Sequence, residues 1–334
     1  MKAKQLLFHC RYGHHYGWGH LVRCSALAIE ARKRGLTTYL WSPDAAQQLP
    51  AVILQDFDTI LNEPPVPANY AGLVLDNLEA TQSDVAAFWP VGERPIVAVD
   101  DAGTRDLSFA HMIVNPALHA PADAYKYSVA PQPILCLGPD YALLRESFVQ
   151  MRHTTRQQAA RKRDQRSGIA IVVGGTDVLN LVPTLLDYLL DPSSPFVNEP
   201  IHLITPIRAA TRDAIAEHQH NKKNLHWHSQ ASAEQLAQLM HKCRFGITAC
   251  GGTVYEMASC ELPFVGIVVA DNQIAFAQAV EKEWLLPILP GTQLTASALI
   301  KSLLRLEQVP ENYAEVDGRG AVRVFNRLNQ HLSL

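Results

Sequence analysis

Apolar residues in this chain fall in short unbroken runs, separated by stretches whose apolar positions recur every three or four residues. In the first half the runs are KQLLFHC, TTYLWS, GLVLDN, PIVAVDD, HMIVNP and PILCLG. Such runs predict strands of a parallel sheet, covered on both faces by the helices that connect them. Between the first two lies HLVRCSALAIEARKRG, apolar at helical spacing, with Gly35 as its stop. The proline-rich stretch 50–71 has no period and reads as irregular connection. A second series begins at Gly168 with GIAIVVGG, PIHLITP, NLHWHS, FGITAC, PFVGIVV and LLPILP, and helical segments at 232–242 and 272–283 separate some of them. The tail 311–331 reads as a last helix broken by Gly318 and Gly320.

This alternation predicts an α/β chain of two Rossmann-like domains facing across a cleft. The expected boundaries are 1–148 and 168–310. The polar, arginine-rich stretch 149–167 is expected to be a solvated linker or helix, or else a basic patch near a phosphate site. The tail 311–334 is expected to pack back on the first domain. Ligands of such sheets bind outside the carboxyl ends of the strands.

Composition narrows the partners. The chain has 334 residues, 48% hydrophobic and 18% charged, with a formal net charge of −3. That size suits two domains and that charge argues against a nucleic-acid binder. No apolar run reaches the ~18 residues of a membrane span, and the apolar stretch before Arg11 is too short for a secretory signal. Six scattered cysteines without a C-x-x-C read as reduced, buried thiols, so a cytoplasmic protein is expected.

The candidate chemistry lies in strand-to-helix loops, where a helix N-terminus offers N–H groups to an anion. The first, GHHYGWGH, has Gly13, Gly17 and Gly19 in the wrong spacing for a dinucleotide fingerprint, and it lacks the lysine of a P-loop. The second holds Gly174, Gly175 and Thr176, as a phosphate loop or a plain capped turn. The third, Gly251, Gly252 and Thr253, opens a helix carrying Glu256. That carboxylate is placed to accept ribose hydroxyls, or simply to complement the helix dipole. The fourth offers Asn272 and Gln273 as hydrogen-bonding groups. Asp100 and Asp101 end a strand, as a metal or sugar site or as a helix cap with a solvated neighbour. His226 and His228 share a strand face, but two imidazoles do not make a metal site, and no metal or cofactor is expected.

Taken in order, these segments resemble the nucleotide-sugar hydrolases and presumed transferases of the pseudaminic-acid and spore-coat polysaccharide type. The resemblance spans about residues 6–327. It rests on GWGHLVRCSALA (17–28), VDDAG (99–103), IVNP (113–116), LGPDYALLRESF (137–148), VVGGTD (172–177), ACGGTVYEMA (249–258), ADNQ (270–273) and DGRGAVRV (317–324). It implies the GT-B architecture of MurG, with UDP held by the second domain. It also implies hydrolysis of a UDP-linked diacetamido-trideoxy sugar, in nonulosonic-acid or surface-polysaccharide biosynthesis. His20 would be the base that activates water, and Gly17, Gly19, Asp101, Asn115 and Tyr141 would line the sugar side. The alternative is a glycosyltransferase that passes the sugar to a glycan, lipid or protein hydroxyl. One departure stands out. Where the family has Phe-Arg-x-Asp on its first strand, this chain has Phe8-His9-Cys10-Arg11. With Arg11, His14 and His15, the sugar pocket is expected to be more cationic, suiting an acidic sugar or acceptor.

Overall fold

The computed structural model describes residues 4–13, 16–43, 53, 55–128, 131–157, 165–174, 177–205, 212–213, 215–216, 218, 223–229 and 231–331. Within them the apolar runs form two all-parallel sheets, one in each of two compact units. Unit 1 comprises Met1–Glu146 together with Gly318–Leu334, and unit 2 is the continuous Ser147–Asp317.

Unit 1 has seven strands in the order β3-β2-β1-β4-β5-β6-β7. They are β1 (Gln5–Cys10), β2 (Thr37–Trp41), β3 (Thr59–Leu61), β4 (Gly72–Asp76), β5 (Ile96–Val99), β6 (Met112–Asn115) and β7 (Ile134–Leu137). Strand β3 lies inside the stretch expected to be irregular. Its three residues are too few to show a period, and it pairs only at the sheet edge, Tyr39 opposite Thr59. Successive side chains of the central strands alternate between two cores. Leu6, Phe8, Val74, Val97 and Val114 join one layer, and Leu7, Leu73, Leu75, Ala98 and Ile113 the other. Each fully buried side chain of this kind contributes about 1.5–3 kcal/mol. The first layer is covered by α1 (Gly19–Lys33), whose buried face combines Leu21 and Leu27 with the small Cys24, Ser25, Ala28 and Ala31.

The same layer receives the last helix. The two glycines do not break it: Gly318 precedes the helix and Gly320 opens it, and the helix runs Gly320–His331 and packs on α1 and on the turn after β7. Gly320 is required by close approach. A Cβ there would lie 2.3 Å from the Ala142 carbonyl oxygen and 2.4 Å from the Tyr141 carbonyl carbon. Gly320→Ala is therefore expected to cost about 1–3 kcal/mol and to raise amide hydrogen exchange first in this helix. Unchanged exchange there would contradict the packing.

Unit 2 has six strands in the order β10-β9-β8-β11-β12-β13: β8 (Ile169–Val172), β9 (Ile201–Ile204), β10 (Leu225–His228), β11 (Phe245–Ala249), β12 (Phe264–Val268) and β13 (Ile288–Pro290). The polar segment after residue 148 enters it differently from the solvated expectation. Helix Glu146–Gln157 carries Arg152, which is 4% exposed and paired with Glu261 at 2.9 Å. Arg166 is also buried and donates to the Cys260 and Glu261 carbonyls. These two arginines belong to the packing of unit 2. Residues 310–317 stay with unit 2 as well: the Tyr313 hydroxyl donates to the Leu262 carbonyl at 2.8 Å, between the rings of Phe264 and Trp284. All six cysteines are buried free thiols. Among the described residues no helix is long and apolar enough to cross a membrane.

Candidate functional site

In each sheet the strand order reverses once, between β1 and β4 and between β8 and β11. There the connecting helices leave to opposite faces and the carboxyl ends of the two strands stand open. In unit 1, α1 leaves the end of β1 and its second residue is His20. Cys10 and Asp76, the last residues of β1 and β4, are register partners, so His20 passes over the end of β4. His20 Nδ1 lies 2.7 Å from Asp76 Oδ1. Arg23, one turn along the same helix face, donates from Nε to Asp76 Oδ2 at 3.0 Å and from Nη2 to Oδ1 at 2.8 Å. Its remaining arm, Nη1, donates to Asp101. The four side chains form a chain of alternating character, His20–Asp76–Arg23–Asp101. Asp76 is fully buried, His20 is 13% exposed and Asp101 44% exposed.

Electrostatics holds Asp76 and Arg23 ionised. Burial by itself would raise the Asp76 carboxyl, but the Arg23 guanidinium, and then His20, hold it below the usual carboxylate range. Burial would likewise lower Arg23, and the carboxylates of Asp101 and Asp76 overcome it, so its pKa is raised. Sequence reading missed both Asp76 and Arg23. The acid closing GLVLDN and the arginine three residues after His20 were the available signals.

Asp100, next to Asp101, belongs to a different network. Its carboxylate accepts from the Tyr125 hydroxyl (2.7 Å), the Gly103 amide (2.9 Å) and Arg105 Nε (3.1 Å). Asn115 is part of this network rather than of a sugar pocket. It is fully buried, its Nδ2 donates to the Tyr125 hydroxyl, and its Oδ1 accepts from the Ala117 amide. Tyr141 follows β7, three strands and about 14 Å from β4, where it interacts with Arg327 of the last helix and with the Cys136 thiol. The structure thus brings His20 and Asp101 together and leaves Asn115 and Tyr141 apart from them.

Within the strand-to-helix loop ahead of His20, Gly13 and Gly17 make a tight antiparallel turn. Gly13 and Gly17 exchange both backbone hydrogen bonds (3.0 and 2.7 Å), each with positive φ, which their lack of a Cβ permits. Gly19 then starts the helix. Arg11 lies over the Tyr16 ring and 3.8 Å from Glu79, which also accepts from the Tyr16 hydroxyl at 2.8 Å. Arg11 therefore faces a carboxylate as well as an aromatic ring. His9 is buried against Trp41 and Phe88. His14 and His15 lie outside the described residues.

In unit 2 the ends of β8, β11 and β12 are neighbours, and three of the candidate loops follow them. Gly251 and Gly252 precede the seven-residue helix Thr253–Ser259, with no side chain capping its first turn. Glu256 lies within it, 6% exposed. After β12, Asn272 is exposed, and Gln273 uses its Oε1 to accept from the Val269 amide at 3.0 Å. Gly174 follows β8, whereas Gly175 and Thr176 lie outside the described residues. The cap of the next helix (Leu181–Leu190) is Asp177: its carboxylate accepts from the Leu181 and Val182 amides at 2.8 and 3.1 Å. Those two amides are thereby closed to a phosphate; at the third loop the Gly251 amide donates to the Ala249 carbonyl at 2.8 Å, and the amides of Gly252 and Thr253 stand at the start of the helix. His226 and His228 are joined by His202 from the neighbouring strand, stacked with both. Burial first, then the two other imidazoles, push His202 down to about 4, so His202 is neutral at physiological pH. Among the described residues no group of three His, Cys, Asp or Glu is arranged to hold a metal ion.

Two Rossmann-like units with these strand orders define the GT-B fold, and the solved structures it resembles carry that fold. They include UDP-GlcNAc 2-epimerase from Neisseria meningitidis bound to UDP-GlcNAc (14% identity, TM-score 0.64, 98% of this chain and 100% of that one). Acinetobacter baumannii MurG is another (13%, TM-score 0.59, 98% and 99%). Among curated proteins, the spore coat polysaccharide biosynthesis protein SpsG of Bacillus subtilis (strain 168) is 23% identical over 333 residues, 93% of this chain and 94% of SpsG. No protein-family model matches the chain.

Proposed function

We propose that this chain is a GT-B enzyme of polysaccharide biosynthesis that hydrolyses a UDP-linked acetamido sugar, with His20 as general base. The observation that carries this reading is the imidazole of His20, anchored on a buried carboxylate at the open end of the first sheet. An imidazole titrates near neutrality and suits base catalysis at physiological pH. The oxygen of a water molecule bonds to the anomeric carbon as a water proton passes to the imidazole. The bond from that carbon to the diphosphate breaks, and its electron pair leaves on UDP. UDP as the carrier is supported by the likeness to structures that hold UDP-GlcNAc, and a polysaccharide pathway by the likeness to SpsG. The amides of Gly252 and Thr253 would stabilise the departing diphosphate and Glu256 would accept the ribose hydroxyls.

The test is UDP release from UDP-linked acetamido sugars by the purified chain with no acceptor added. Release supports the hydrolase, whereas release only after a glycan, lipid or protein acceptor is supplied identifies a glycosyltransferase. Glu256→Ala is expected to weaken UDP binding by about 1.5–3 kcal/mol, one charged hydrogen bond. Unchanged affinity by calorimetry removes Glu256 from the site.

A further inference from the structure

The contact between His20 and Asp76 has a consequence for which nitrogen does the chemistry. A carboxylate only accepts hydrogen bonds, so an imidazole nitrogen 2.7 Å from it must carry the hydrogen. Arg23 Nη2 lies 2.9 Å from the same Nδ1. Two donors cannot bond each other, so that approach is contact only, and the Arg23 hydrogens are directed at Asp76 and Asp101. We infer that Asp76 and Arg23 are positioning residues that lock His20 in the Nδ1–H tautomer, leaving Nε2 as the basic atom offered to substrate. The inference rests on the base role proposed above, and it adds two residues that act through His20 without touching substrate.

The two positioning residues oppose each other. A lone buried carboxylate would favour the imidazolium form, which is no longer a base. Arg23 bonds both oxygens of that carboxylate and tempers it, while Asp101 balances the guanidinium on its exposed side. Cys24 and His119 carry no charge into this balance. The Cys24 thiol, in the same helix, is held protonated by its hydrogen bond to Cys10 of β1 and by burial. His119, on the loop after β6, is pushed down by burial, with Asp101 partly offsetting. Arg11 and Glu79 at the rim face each other.

Labelling with 15N-histidine reads the tautomer directly, with the His20 signals assigned by their loss in H20Q. The expected result near neutral pH is a proton on Nδ1 and none on Nε2, and the reverse overturns the proposal whatever the activity. In turnover, D76N is expected to lower kcat by about 10²–10⁴-fold with little change in KM. The acid limb of its pH–rate profile moves to lower pH, because Arg23 then faces the imidazole without the carboxylate. R23Q moves that limb to higher pH, because the carboxylate then acts alone. Limbs that shift in the same direction, or not at all, overturn the proposal. If either variant fails to fold, the tautomer of the unaltered chain still decides. An active H20N refutes the base reading itself, whereas an inactive H20N beside a fully active D76N refutes only the lock.

Discussion

His20→Asn is expected to lower turnover of the UDP-linked substrate by about 10²–10⁴-fold while leaving UDP affinity unchanged. The asparagine keeps a polar group of similar reach near Asp76 but has no atom that takes a proton at neutral pH. The nucleotide groups are assigned to unit 2, so the loss belongs in kcat and not in binding of UDP alone. Rapid-mixing measurement of UDP release, together with calorimetry of UDP, separates the two. A variant that turns over normally sinks the assignment of His20, and one that no longer binds UDP shows that the imidazole holds nucleotide instead.

Asp100→Ala is expected to destabilise unit 1 by about 3–5 kcal/mol, the cost of removing one partner of a buried ion pair. The carboxylate is 1% exposed and accepts three hydrogen bonds, from Tyr125, Gly103 and Arg105. Without it the Arg105 guanidinium keeps its bonds to the Asn77 and Val99 carbonyls but loses its counter-ion. Burial first, with Asp100 adding to it, holds the Tyr125 hydroxyl protonated, so it remains a donor whose acceptor has gone. Urea unfolding followed by a probe in unit 1 measures the effect. A midpoint shift worth less than about 1 kcal/mol would mean that water satisfies the network.

The contrast between Asp100 and Asp101 shows where sequence is legible and where it stops. Both acids were visible as a pair at the end of a strand, and nothing local says that one turns into a buried network and the other toward Arg23. The same holds for Asn115, which closes β6, and Tyr141, in the turn after β7: a polar residue at either place looks alike whether it faces a ligand or a neighbour. The strands themselves were legible because burial on both faces writes an unbroken apolar run, and β3 escaped because three edge residues write no pattern. His20 was legible from its setting among glycines and from family resemblance. Asp76 was not, because its partner lies 56 residues away in the chain and only the parallel register of β1 and β4 joins them. Arg11 was legible as a departure, but its counter-ion Glu79 was not, being equally remote in sequence.

The last helix gives the chain an unusual order of assembly. Unit 1 begins at the N-terminus, yet its core includes Val324, Phe325 and Leu328, packed with Leu21, Leu27 and Val74. Unit 2 is continuous and sits between the two pieces. On the ribosome, where domains form as they emerge, the first sheet must wait with one apolar layer incomplete until the whole second unit has been made. A nonsense mutation near residue 318 would spare all thirteen strands of the described residues and still strip that layer of Val324, Phe325 and Leu328.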